Sequence, residues 1–331
     1  MQRQQNQFAN LENFLNSSPS NKSDLQLCET RIGAYGIYCL INTLSKYDSL
    51  QNLKLELGDD HFIDEYVSQL GQIVAKQTNL QNLSLKLYNN ELGSQGVQAL
   101  FSQFEDNISV SSLSISIGLN KIGDQGALFL GQRIQAFKNL QSLKICLPSN
   151  NIGGKSAIAL CQALKNNANL STLILYFGRN EIGDSGLQGI AQAIGKFNTL
   201  STVKLKLGKN CIETEKDLYF GFTKYINLNI LELDFSWNNL DDQFTHIIGS
   251  DLKNCQYIYS LTIRLTGNNI TVLGVSDLIS NLEVCPNIIS LTLDLGPHHG
   301  QAKYGFVNNL KLKKRLLKLK NLVNLSFKIF E

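Results

Sequence analysis

The chain has 331 residues, 43 % hydrophobic and 17 % charged, with a net charge of +3. That composition suits a folded, soluble protein and is too weakly basic to imply a nucleic-acid partner. No apolar run approaches the roughly eighteen residues of a transmembrane segment, the opening MQRQQNQFANLENF lacks the apolar centre of a secretory signal, and seven cysteines without CxxC spacing point to free thiols in a reducing, cytoplasmic setting.

Residues 1–22 are rich in Gln, Asn and Ser. Within them Phe8, Leu11 and Leu15 fall at helical spacing before the breaker Ser17-Ser18-Pro19-Ser20. This predicts a short amphipathic helix that caps whatever follows. From residue 23 onward the chain repeats. A leucine opening a period-2 run recurs at Leu53, Leu83, Leu113, Leu143, Leu173, Val203, Leu231, Leu261 and Leu291. The steps are thirty residues, except 28 from Val203 to Leu231; Leu325 closes the series after 34. Ser23 occupies the slot one step before Leu53, so eleven strand segments are expected.

Thirteen residues before the anchors lies a row including Leu100, Leu130, Leu160 and Ile190; nine before lies Phe104, Ile134, Leu164 and Ile194. Rows four apart stand one above the other on a helix. The apolar period therefore switches from 2 to about 3.6 within each unit, which is one strand followed by one helix. Neither can bury its apolar face alone, so the units must stack. Seven residues after the anchors stand Asn90, Asn120, Asn150, Asn180, Asn210, Asn238 and Asn268. An Asn there can satisfy backbone groups where the strand bends into its loop, and stacked copies would form a ladder. Gly36, Gly96, Gly126 and Gly186 recur near the helix starts, where a missing Cβ permits close packing.

The units loosen toward the end. Glu213-Thr214-Glu215 and Asp241-Asp242-Gln243 replace the regular IGDxG, and the pattern breaks at Gly296-Pro297-His298-His299-Gly300. Residues 296–331 then read as an irregular cap. It contains Lys311, Lys313, Lys314, Arg315, Lys318 and Lys320 on a predicted basic helix; without these six cations the remainder would carry −3. Register places Leu312, Leu316, Leu319 and Leu322 in the core and turns Leu310 and Leu317 outward among the lysines. Such a helix is either a solvated outer face or a weak docking site for an acidic partner or membrane surface.

The pattern LxxLxLxLxxNxIGxxGxxxL resembles a leucine-rich repeat of the ribonuclease-inhibitor-like class, over nearly the whole chain from Ser23. The resemblance implies an α/β solenoid, a horseshoe of about 10–11 repeats with a concave parallel β-sheet inside and α-helices outside. One departure stands out. An added x-Leu pair precedes the Asn (Leu57, Leu87, Ile117, Leu147, Phe177, Leu207, Phe235, Leu265, Leu295). Each strand should be longer by two residues, about 6–7 Å.

Chemistry finds little footing. Ser149 to Ser156 follows a predicted strand and opens a predicted helix, as a phosphate-binding loop does, but that motif requires Gly where Ser149 stands. The repeat register explains the stretch, including Asn150, Ile152 and Gly153. His61, His246, His298 and His299 lack ligand spacing, and His298-His299 alone cannot hold a transition metal. Cys146 faces the hollow beside Lys144, which is weak ground for a nucleophile. No catalytic, cofactor or metal site is expected.

The inner face is more informative. Three residues after the anchors the row runs Gln26, Glu56, Lys86, Ser116, Cys146, Tyr176, Lys206, Asp234, Arg264, Asp294, Lys328. Its alternating signs predict a self-neutralising ladder across neighbouring strands. The middle departs from this: Cys146, Ile174 and Tyr176 are apolar or aromatic, rimmed by Lys204 and Lys206, while Tyr88 and Trp237 sit in loops leaving the sheet. An apolar window rimmed by charge is a typical partner site. The sequence thus predicts a non-enzymatic scaffold, a monomer outside its complex, that binds a protein partner on the concave face. One branch of the resembled family activates a small GTPase, but it typically ends in an acidic tail and this chain ends in a basic helix and SFKIFE. The sensor half of a signalling protein is a third reading.

Overall fold

Within each of the chain's two units, the anchor residues lie on strands that pair in parallel, anchor against anchor, as in Leu53↔Leu83 and Leu261↔Leu291. The computed structural model describes residues 7–8, 10–17, 23–59, 64–104, 109–214, 218–222, 227–253, 255–296 and 306–328. The chain forms two compact units, Met1–Ile152 with Ala159–Leu170, and Gly153–Ile158 with Ser171–Glu331.

The first unit contains β1 (Gln7–Phe8), α1 (Leu11–Leu15), β2 (Asp24–Thr30), α2 (Gly33–Leu44), β3 (Asn52–Gly58), α3 (Asp64–Ala75), β4 (Asn82–Lys86), α4 (Ser94–Phe101), β5 (Ser112–Ser116), α5 (Gly123–Ile134) and β6 (Ser142–Cys146). Its strands follow one another in sequence order, all parallel. Helix α6 (Gly154–Ala163) gives residues to both units. The second unit contains β7 (Thr172–Tyr176), α7 (Gly183–Ile194), β8 (Thr202–Lys206), β9 (Ile230–Asp234), α8 (Asp242–Leu252), β10 (Ser260–Arg264), α9 (Val272–Leu282), β11 (Ser290–Asp294), α10 (Phe306–Leu316) and β12 (Asn324–Lys328), again parallel and in order.

Along strands such as β5, β8 and β10, buried and half-buried residues alternate, which separates a core face from an open face. The added x-Leu row is fully inside: Leu87, Ile117, Phe177 and Phe235 are all at 0 % exposure. Parallel pairing continues through it, with Leu87 N donating to Ser116 O at 2.8 Å and Leu207 N to Asp234 O at 2.7 Å. Each such side chain contributes about 2 kcal/mol of apolar burial.

The asparagines form the expected ladder. In the first unit Asn120 Oδ1 accepts from Asn90 N (3.0 Å) and Leu92 N (2.9 Å), while its Nδ2 donates to Leu87 O and Ile117 O. In the second, Asn238 Oδ1 accepts from Asn210 N (2.9 Å) and Ile212 N (3.1 Å), and its Nδ2 donates to Leu207 O and Phe235 O. Close packing of helices on neighbouring repeats also needs its glycines. A Cβ on Gly186 would lie 2.8 Å from Gly154 Cα.

Three details differ from the sequence pattern. First, Leu25 rather than Ser23 pairs with Leu53, so Cys28 rather than Gln26 stands opposite Glu56. A shift of two residues keeps every side chain on its face, and periodicity cannot detect it. Second, Phe8 lies in β1 against Leu27, and α1 begins only at Leu11 behind the N-cap Asn10. Its buried residue is Phe14, stacked on Tyr47 at 6.0 Å between ring centroids. Third, the described residues between β8 and β9 contain no α-helix. Leu218, Phe220 and Phe222 are buried there without one, Phe220 packing on Phe235 and Phe244. The buried Asp251 carboxylate on α8 accepts the N–H groups of Phe220 (2.8 Å) and Gly221 (3.1 Å).

At the last strand the core is only half covered. Leu322, Leu325 and Phe327 are intermediate in exposure, whereas their counterparts Ile288, Leu291 and Leu293 are at 3 %, 1 % and 0 %. Asn238→Ala should cost about 3 kcal/mol in chemical denaturation, because it strands two buried N–H donors and two carbonyls; Asn227→Ala, whose amide bonds a carbonyl at an exposed position, should cost less than about 1 kcal/mol.

Candidate functional site

In the second unit the open sheet face gathers the central candidates. Ile174 and Tyr176 on β7 stand directly opposite Lys204 and Lys206 on β8, and Lys204 stands opposite Glu232 on β9. Alternation along the strands turns all of them away from the core, where Leu173, Leu175, Val203 and Leu205 are buried.

Glu232 is the electrostatic centre. Its carboxylate receives Lys204 Nζ at 3.2 Å, Lys206 Nζ at 3.0 Å and Arg264 Nη1 at 2.6 Å, and its side chain is only 12 % exposed. Burial alone would push the carboxyl up, but the hydrogen bonds and charges of these three cations hold it down at about 2. Lys206 is in turn raised above its ordinary value, since Glu232 outweighs the cost of burial. Lys206 Nζ also lies 4.3 Å from the Tyr176 ring centroid, a cation–π contact.

The expected charge ladder along one row therefore takes another form. Lys206 and Arg264 reach diagonally to Glu232 in the neighbouring row, while Asp234 accepts its own strand's Ser236 N (3.0 Å) and Asp294 accepts the Thr266 hydroxyl (2.7 Å). The shorter Asp side chains bond groups just past the strand ends, Asp234 in its own repeat and Asp294 in the preceding one, whereas the longer Glu spans the diagonal. Glu232 is the residue that the sequence reading missed; its signal was the Lys204–Glu232 neighbour pair one residue after the anchors. In the first unit the expected same-row rung does form: Lys86 stands directly opposite Glu56 and bonds it, with Lys54 of the same strand joining at 2.9 Å.

The other candidates disperse. Cys146 is buried in the first unit at 7 % exposure and offers little surface, because a short side chain sinks between its neighbours. Tyr88, also in the first unit, is 43 % exposed past the end of β4. Trp237 leaves β9 with a left-handed backbone (φ 60°), packs its indole over Gly267 and holds Lys209 Nζ 5.2 Å from its ring. A Cβ at Gly267 would lie 2.7 Å from the indole. Of the basic segment, Lys311, Lys313, Lys314 and Arg315 lie on α10, but Lys318 and Lys320 follow its end in the turn before β12. Leu310 and Leu317 do face outward, at 48 % and 60 % exposure. Arg315 is committed to α9, bonding Glu283 at 2.8 Å and the Ser276 and Ser280 hydroxyls.

Ser156 of the phosphate-loop-like stretch is buried, with its hydroxyl donating to Gly153 O. His298 and His299 lie outside the described residues. Among the described residues no group of three His, Cys, Asp or Glu side chains could hold a metal ion, and no helix is long and apolar enough to cross a membrane.

Residues 167–191 match the family model described as a leucine-rich repeat. The matched stretch is a single copy of the repeating unit. Together with the parallel strands and intervening helices, this makes the chain a leucine-rich repeat α/β solenoid. Comparison with curated proteins gives no match. Two solved structures are similar at low identity. One is actin-binding site 2 of leiomodin-1, 20 % identical over 42 % of this chain and 76 % of that one, with a TM-score of 0.32. The other is internalin C2 from Listeria monocytogenes, 15 % identical over 76 % of this chain and 90 % of that one, with a TM-score of 0.38. At these scores the likeness says nothing about a partner.

Two measurements follow from this geometry. Glu232 stabilises the fold only while ionised, and its carboxyl is depressed from 4.5 to about 2. That stability is present above pH 4.5 and lost as pH falls from there toward 2. The melting-temperature gap between the native chain and Glu232→Gln should therefore be constant above this window and close within it. Among the cysteines, burial pushes the Cys161 and Cys255 thiols up to about 12 and Cys285 to about 11. In native protein, iodoacetamide should label the exposed Cys211 first and reach these three only on unfolding.

Proposed function

We propose that this leucine-rich repeat solenoid is a non-enzymatic protein-interaction scaffold whose partner binds the open sheet face of the second unit. The observation that carries this is the pairing of half-buried Ile174 and Tyr176 with the Lys204, Lys206 and Arg264 cluster. Apolar and aromatic surface is costly to leave on a sheet face unless something covers it, and a Tyr with a cation against its ring is a recurrent anchor type. Glu232 pre-positions the three cations, so a partner carboxylate would meet them with little further loss of side-chain entropy. Trp237 and Lys209 extend the same surface to the sheet edge.

The ribonuclease-inhibitor-like class fits the alternation of each strand with a helix of 8 to 12 residues in the regular units. Seven unpaired cysteines, four of them buried, support a reducing, cytoplasmic compartment. A second docking surface is α10, where exposed Leu310 and Leu317 stand among lysines.

The test is differential capture. Proteins retained by the native chain should be lost with Tyr176→Ala, at a cost of about 2 kcal/mol or roughly thirtyfold in affinity. The melting temperature should change little, since the substitution removes one cation–π contact worth about 0.5–1 kcal/mol. Unchanged capture by Tyr176→Ala and by Lys204→Ala would remove the sheet face as the binding site.

A further inference from the structure

Two residues before each anchor lies a row that the sheet-face site does not use. From Gln51 to Asn229 this row is Gln, Ser or Asn; in the last three repeats it becomes Tyr259, Ile289 and Val323. The backbone holds these three side by side, with Ile289 N donating to Tyr259 O at 2.9 Å and Val323 N to Ile289 O at 2.8 Å. Adjacent strands are about 4.8 Å apart, so the row presents about 10 Å of continuous apolar edge. All three are exposed, at 41 %, 43 % and 76 %, as is Tyr257 at 53 %. With Gln256, Asn287 and Asn321 they line a groove of about 480 Å³. Its floor is pinned: Asn287 Nδ2 donates to Gln256 O at 2.6 Å and Asn321 Nδ2 to Pro286 O at 2.7 Å.

The charge beside the groove selects its occupant. Residues 306–328 carry Lys311, Lys313, Lys314, Arg315, Lys318, Lys320 and Lys328 and no acid. Only Arg315 among them forms an ion pair with a described residue, Glu283. Lys318 and Lys320 are exposed in the turn that leads directly into the groove residues Asn321 and Val323. A second copy of the chain would bring the same cations and be repelled. We propose that this groove docks a short acidic segment of a partner protein, its one or two aliphatic or aromatic side chains on Tyr259, Ile289 and Val323 and its carboxylates on Lys318 and Lys320. This surface is separate from the Tyr176 site, and the two stand or fall independently.

Random peptides displayed on phage and selected on the full chain provide the probe. Selection should enrich peptides in which Asp or Glu flanks Leu, Ile or Phe. Synthetic copies, followed by fluorescence anisotropy, should lose at least about tenfold in affinity with Ile289→Asp plus Val323→Asp. Lys318→Glu plus Lys320→Glu should weaken them comparably, binding should fall as salt rises, and Tyr176→Ala should leave it unchanged. If the Ile289 change lowers the melting temperature, Val323→Asp alone, at a highly exposed position, gives the reading. Enrichment without the acidic–apolar pattern, or binding that survives both double variants, overturns the proposal. So does preferential binding to phosphatidylserine vesicles that the same variants abolish, which would make the groove a membrane contact.

Discussion

Past the ends of β4 to β10, a buried asparagine amide takes N–H groups that the preceding repeat cannot bond to itself. Where a strand turns into its loop, two donors and two carbonyls point inward among leucines, and water cannot reach them. Asn238 answers four such groups at once, and Asn120 does the same in the first unit. Within each unit such an amide joins its own loop to the one before it, so a repeat depends on its successor. Apolar stacking supplies most of the free energy, but without the ladder that stacking would leave a column of unsatisfied backbone.

The same ladder shapes the surface. To aim the Asn side chain inward, the residue before it takes a left-handed backbone: Leu119 and Ser149 in the first unit, Arg179, Lys209, Trp237 and Gly267 in the second. A non-glycine residue there costs about 1–2 kcal/mol, which the buried amide bonds offset. The turn also ejects those side chains at the sheet edge, and this is why Trp237 and Lys209 meet there. Trp237 can lie flat because the next repeat has Gly267, which leaves room for the indole.

On the open face, geometry sorts the charges by reach. Three cations converge on Glu232 because one longer side chain, nearly buried between strands, is the acceptor that β8 and β10 can both reach. The shorter Asp234 and Asp294 bond Ser236 N and the Thr266 hydroxyl instead. The result is a rigid positive rim with an apolar pair beside it. Farther along the second unit the residues before the strands turn apolar as the chain turns basic, so two surfaces of different chemistry coexist on one scaffold.

The sequence by itself determined the unit, its strand and helix, the core leucines, the extra buried row and the Asn ladder, because each repeats at a fixed spacing and the same physical demand recurs at every copy. It also marked Ile174, Tyr176, Lys204 and Lys206 as a break in that regularity. Only the tertiary structure decided the rest. The pairing of Leu25 with Leu53 differs from the read register by two residues, a shift that a period of two cannot reveal. The irregular Phe220 segment is held by Asp251 from the following helix, a partner about thirty residues away that no local pattern signals. The focus on Glu232 and the groove of Tyr259, Ile289 and Val323 arise between strands, where the lengths of side chains and the spacing of the sheet set which atoms meet.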